Sequence, residues 1–133
     1  MKILYTIVLL SVIHFALIAQ ISHTINTGGY YYTPSTLTIE VGDSVIWINN
    51  GGLHDVNGDI NTITGQSFNN PVTFDSPSTN TVGAVIFAYK FTVPGTYNYD
   101  CSVGTHAQAG MVGSLIVNTQ STSTAGLILN GVL

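Results

Sequence analysis

The chain has 133 residues, of which 2 are basic and 6 acidic, and a length of this order specifies one domain with at most the start of a second. A net charge of -4 with no Arg provides no basic patch to neutralise phosphates, which excludes nucleic-acid binding. The single Cys excludes a disulfide framework within the chain. Low charge does not mean disorder here, because 45% of the residues are hydrophobic and 10% aromatic, enough to build a core.

Lys2 followed by the apolar run Ile3 to Ala19 reads as a secretory signal peptide of bacterial type, cleaved after Ala19. Leu17 departs from the small residue usual three positions before cleavage. The run is also nearly long enough for an uncleaved membrane anchor. Cleavage leaves a domain of residues 20–118, secreted or periplasmic, with attachment to the cell surface as a variant of the same route. His14 lies in the discarded segment and is given no role.

The domain reads as short strands separated by turns. A weak strand is expected from His23 to Thr27, ended by Gly28-Gly29. Thr36 to Val41 alternates, with Leu37, Ile39 and Val41 on one face. Ser44 to Asn49 follows, with Val45 and Trp47 facing one way, and Asn49-Asn50-Gly51-Gly52 is a strong turn signal. A short strand is expected at Leu53 to Val56, then a polar loop from Asn57 to Asn70, then a short strand at Val72 to Phe74. Ala84 to Val93 places Val85, Phe87, Tyr89, Phe91 and Val93 on one face. Pro94-Gly95 turns the chain into Thr96 to Cys101, where Tyr97, Tyr99 and Cys101 share a face. Val112 to Val117 is the last strand. No window carries a 3.6-residue apolar period. The fold class is therefore all-β, with about seven or eight short antiparallel strands in a β-sandwich.

Residues 119–133 form a Ser/Thr-rich linker and an apolar tail. Two readings remain open for the tail: the first strand of a truncated further domain, or a terminal strand pairing with the sandwich.

The chemistry concentrates late in the chain. Cys101, His106 and Met111 recur at intervals of five, at the end of a strand and along a loop of small residues that can turn tightly. His54 follows the Asn-Asn-Gly-Gly turn. Two imidazoles, one thiolate and one thioether make a soft ligand set suited to copper cycling between Cu(I) and Cu(II). Each residue alone has an ordinary reading as core filler or a solvated loop residue. Together they are more than that, because a free thiol in an oxidising compartment is a liability that metal coordination removes.

The stretch Thr92 to Cys101, with Gly104-Thr105-His106 and Ala109-Gly110-Met111-Val112-Gly113 after it, resembles the copper-binding region of cupredoxins, the plastocyanin/azurin-like blue copper proteins. Val41 to Asn49 and His54 resemble that family's first ligand region, and the resemblance covers residues 36–118. It implies a Greek-key sandwich holding one copper ion, with His54, Cys101 and His106 as equatorial ligands and Met111 as the axial one. The reading is then of a protein that passes single electrons between redox partner proteins, is expected to be a monomer, and is not an enzyme, since four ligands leave no open coordination position for a substrate. Asp55 departs from the Asn or Thr that many relatives carry after the first His. A carboxylate there would hydrogen-bond the loop or lower the reduction potential. The absence of a second Cys favours a bacterial member over a plant phytocyanin. His23 matches no motif position and is expected to be exposed.

Other readings compete. A binuclear copper site needs a second Cys, and a multicopper oxidase needs His-x-His pairs; both are missing from this sequence. Zinc accepts Cys and His, but a thioether suits copper better. A metal-free or zinc-binding sandwich serving adhesion or carbohydrate binding would use Tyr30, Tyr31 and Tyr32 as a stacking platform. The competing reading of that triplet is a strand edge that buries area. The uncharged loop Gly104 to Gly110 is expected to expose one edge of the His106 ring within a small flat apolar patch, with Ala107 and Ala109 as replaceable methyl groups.

Overall fold

The computed structural model describes residues 19–120. The expected signal peptide, the anchor alternative and nearly all of the C-terminal tail lie outside the described residues. Seven strands are present among them: β1 (Ser22–Gly28), β2 (Tyr31–Thr33), β3 (Thr36–Glu40), β4 (Ser44–Asn49), β5 (Val85–Lys90), β6 (Gly95–Asp100) and β7 (Val112–Asn118). They form two sheets, one ordered β2-β1-β4-β5 and the other β3-β7-β6.

The strands are not all antiparallel, as alternation alone suggests. β1 runs parallel to β4, with Ile25 opposite Trp47, and β3 runs parallel to β7, with Ile39 opposite Val117. After the β1–β2 hairpin the chain crosses to the second sheet as β3 and returns as β4. β1 and β4 therefore lie side by side although the chain visits the other sheet between them. Alternation identifies a strand and its inner face, but not its neighbour.

β4 presents Val45 and Trp47 inward, both fully buried, as its pattern requires. β5 departs from its pattern. Trp47 pairs with Phe87 and Ile48 with Val85, leaving Ile86 as an extra residue on β5. This bulge turns Ile86 into the core and leaves Val85 55% exposed. Val93 lies beyond the strand and is also exposed. The expected five-residue face is thus reduced to Phe87, Tyr89 and Phe91, at one end because a bulge shifts the inward register by one and at the other because β5 ends at Lys90.

The core is aromatic. Trp47 meets Tyr99 edge to face at 5.5 Å between centroids, and Phe74 meets Phe91 in the same way at 5.7 Å. Such pairs contribute ~1 kcal/mol each beyond area burial. Gly113 stands opposite Tyr99, and a Cβ there would collide with the Tyr99 ring.

The segment between β4 and β5 carries no strand. The expected strand at Leu53 to Val56 is reduced to an isolated bridge between His54 and Thr79, and the one at Val72 to Phe74 is replaced by a bridge between Asn57 and Asp75. Side chains hold this segment instead. The fully buried Asp100 carboxylate accepts from the Thr62 amide at 2.7 Å, the Thr62 hydroxyl at 2.9 Å and the Asn57 amide group at 2.8 Å. Three donors offset the cost of burying that charge. Asn70 bridges the carbonyls of Gly58 and Asn98 and accepts from the Asn98 amide.

His23 is half-buried rather than exposed, with its Nε2 2.8 Å from Asp43 Oδ2. Burial acts to raise the Asp43 carboxyl. Hydrogen bonds from His23 and from the amides of Ile21 and Glu40 outweigh it and hold the carboxyl below its usual range.

Candidate metal centre

The turn after β4 is built around the fully buried Asn49. Its side-chain nitrogen donates to the carbonyls of Gly52 and Thr79, and its oxygen accepts from the Gly51 amide at 2.9 Å. Gly52 has φ +96, and a Cβ there would lie 2.5 Å from His54 Nε2. Only glycine satisfies both constraints. Paired amide bonds with Thr79 then fix the His54 backbone.

His54 Nε2 lies 2.9 Å from the Gly51 carbonyl. A carbonyl only accepts, so Nε2 carries the proton and Nδ1 keeps its lone pair. That Nδ1 faces Cys101 Sγ at 3.9 Å. Burial, with His106 nearby, holds His54 below the usual imidazole range, which keeps the ring neutral and able to bind a metal.

Cys101 follows β6 and is fully buried. His106 Nδ1 lies 3.4 Å from its sulfur. Donor atoms of His54, Cys101 and His106 all fall within 4.8 Å of one another. Burial pushes the Cys101 thiol up to about 11, although the amides of Asp55 and Val103 act to lower it. The free thiol therefore holds its proton at neutral pH, and metal uptake is coupled to its release. Met111 is fully buried in the core cluster that also holds Cys101. Its amide donates to the His106 carbonyl at 3.0 Å, and its carbonyl accepts from the Cys101 amide at 3.1 Å, which closes the loop between them.

Asp55 clamps the two ligand segments together. Its carboxylate accepts from the amide of Ser102 at 2.7 Å and from the Ser102 hydroxyl, while its carbonyl accepts from Tyr32 at 2.6 Å. Of the two roles expected for this carboxylate, hydrogen bonding to the loop is the one observed. The roles of Asn49 and Tyr32 go beyond the sequence expectations. Their signal in the sequence is confined to the Asn-Asn-Gly-Gly turn and the aromatic triplet.

Tyr32 is buried, whereas Tyr30 and Tyr31 are exposed, so the triplet is a strand edge and not a continuous platform. The surroundings of His106 also differ from expectation. Ala107 is buried, and the Tyr30 ring stands against the His106 ring at 4.7 Å, 67° between planes. The imidazole edge therefore lies beside an aromatic side chain and not within a patch of small residues alone.

Buried Cys sulfur flanked by two imidazole nitrogens, with a thioether next to it in the chain fold, fits copper by donor chemistry. The comparisons with known proteins agree. The profile of the copper-binding proteins of the plastocyanin/azurin family matches residues 19–118. Chloroplastic plastocyanin of Tetradesmus obliquus is 36% identical over 93 residues, covering 69% of this chain and 61% of that protein. Plastocyanin of Scenedesmus fuscus is 31% identical over 97 residues, covering 69% of this chain and 91% of that protein. The chain thus spans less than two thirds of the first of these relatives and nearly all of the second. Among solved structures, a Cu(I) form of an amicyanin variant superposes with a TM-score of 0.55 at 23% identity, covering 73% of this chain and 82% of that one. At that identity the likeness concerns the fold. The chain belongs to the plastocyanin/azurin family of copper-binding proteins.

Proposed function

We propose that His54, Cys101 and His106 are the equatorial ligands of one copper ion, that Met111 is its axial ligand, and that the protein carries single electrons between redox partner proteins. The observation that carries this reading is the gathering of three nitrogen and sulfur donors within 4.8 Å. When bound, copper supplies a one-electron couple between Cu(I) and Cu(II). The chain's own part is to hold the donors still. The Gly51 carbonyl fixes the His54 tautomer, Asp55 ties the two ligand segments, and burial keeps water from the sulfur.

Cupredoxins of this family are electron carriers, not enzymes. The reading extends to a monomeric domain of residues 20–118, exported behind a signal peptide of residues 1–19 and working outside the cytoplasm. His106, only partly buried, is the route by which the electron leaves. Voltammetry of the copper-loaded protein tests the reading. One reversible one-electron wave is expected. A protein that binds Cu(II) but gives no reversible wave contradicts it.

A further inference from the structure

The β1–β2 hairpin turns through two residues, Gly29 and Tyr30, between the paired Gly28 and Tyr31. Both have positive φ, +50 at Gly29 and +65 at Tyr30. This is the conformation of a type I′ turn, whose central positions favour Gly, Asn or Asp. A bulky aromatic residue there is a conformational outlier. Glycine would meet the φ of this position without strain, so the turn geometry gives no reason for the aromatic ring.

The ring's contacts supply one. Tyr30 is 53% exposed, and buries its inner edge against His106 at 4.7 Å between centroids. With Leu53, Gly52 and the two histidines it lines one cleft at the surface. Backbone strain retained next to a functional side chain points to a role at that side chain.

We propose that Tyr30 is a positioning residue, which holds the His106 ring in one orientation so that the oxidised and reduced proteins share a single geometry. The inference rests on the reading of His106 as a copper ligand. Its chemistry is contact alone. Ring packs on ring, no bond forms or breaks, and the phenol oxygen takes no part. In the loop, His106 is held through its backbone, by amide bonds to Val103 and Met111. Its side chain has Tyr30 on one side and His54 on another, with centroids 5.1 Å apart for the two histidines. Without the Tyr30 ring the imidazole gains freedom, and each electron transfer must reorder it.

The test compares Tyr30→Gly with Tyr30→Phe as the conservative variant. Electron self-exchange, followed by NMR line broadening, should slow by ~5-fold or more in Tyr30→Gly as ordering is lost. Tyr30→Phe should exchange at the native rate. In the copper-free protein, relaxation of the His106 ring carbons should show greater mobility in Tyr30→Gly than in Tyr30→Phe. A native exchange rate in Tyr30→Gly, or unchanged ring relaxation, overturns the proposal. Intensity of the blue band reports separately on the copper assignment, and ring relaxation in the absence of metal reads the role of Tyr30 independently.

Discussion

The two segments that bring donors to the metal centre are stabilised in different ways. The turn carrying His54 is organised by a side chain: Asn49 is fully buried and makes two hydrogen bonds within the turn and a third to the Thr79 carbonyl, and Gly52 leaves room for the imidazole. Beyond the Asp55 clamp at Ser102, the loop to Met111 is organised by its own backbone, through amide bonds such as Ala109 to Thr105, Gly110 to Ala107 and Met111 to His106. Its outward side chains, Thr105, Gln108 and Ala109, are exposed. One segment therefore depends on the identity of a buried polar residue that binds no metal. The other places no such demand on its outward side chains, Thr105, Gln108 and Ala109.

The sharpest break in that comparison is at the turn. Asn49→Ala removes the three hydrogen bonds that a fully buried side chain makes to partly buried backbone groups and should cost ~2 kcal/mol or more of stability. Gly52→Ala combines a positive φ with a collision against His54 Nε2 and should cost a similar ~1–3 kcal/mol. Denaturant unfolding of the copper-free proteins measures both losses. If either variant is as stable as the native protein, the turn is not organised by these contacts.

Next comes the axial donor. Met111→Leu preserves volume at a fully buried position and should cost less than ~1.5 kcal/mol. Copper should be retained, and the reduction potential should rise, because a weak donor that favours Cu(II) is lost. Voltammetry of the two proteins decides this; a fall in potential, or loss of copper, removes Met111 from the ligand set.

The smallest structural effect is expected on the loop's outer face. Ala109→Glu should leave the copper spectrum and the stability within ~0.5 kcal/mol of native, as for other exposed substitutions. Its consequence should appear in kinetics. Stopped-flow electron exchange with a fixed protein partner should slow at low salt, where an added charge acts over the longest range. An unchanged rate places the exit of the electron on another face.

The legibility of the sequence follows the same division. β4 is readable to the residue, because a half-buried strand with Val45 and Trp47 on one face leaves a period of two. The four candidate donors are readable too, because Cys101, His106 and Met111 lie on one loop and His54 follows a strong turn. What stays hidden depends on contacts distant in sequence. The parallel pairing of β1 with β4 leaves no local trace, and the bulge at Ile86 is set by its partner strand. The segment from Asn57 to Asn70 is secured by Asp100, 38 residues beyond Thr62 in the chain. The sequence admits Tyr30 as a platform or as packing. Its place beside His106 arises only when the β1–β2 hairpin is set against the ligand loop.

The central claim is that Cys101 supplies the thiolate of a copper centre, and titration with Cu(II) while recording the visible spectrum tests it most directly. The native protein should develop an intense blue band that saturates at one equivalent, because a Cu(II)–thiolate bond absorbs strongly by charge transfer. Cys101→Ser should show none, while remaining folded on its aromatic core. A blue band of native intensity in Cys101→Ser, or a native protein that stays colourless with Cu(II), would contradict the account.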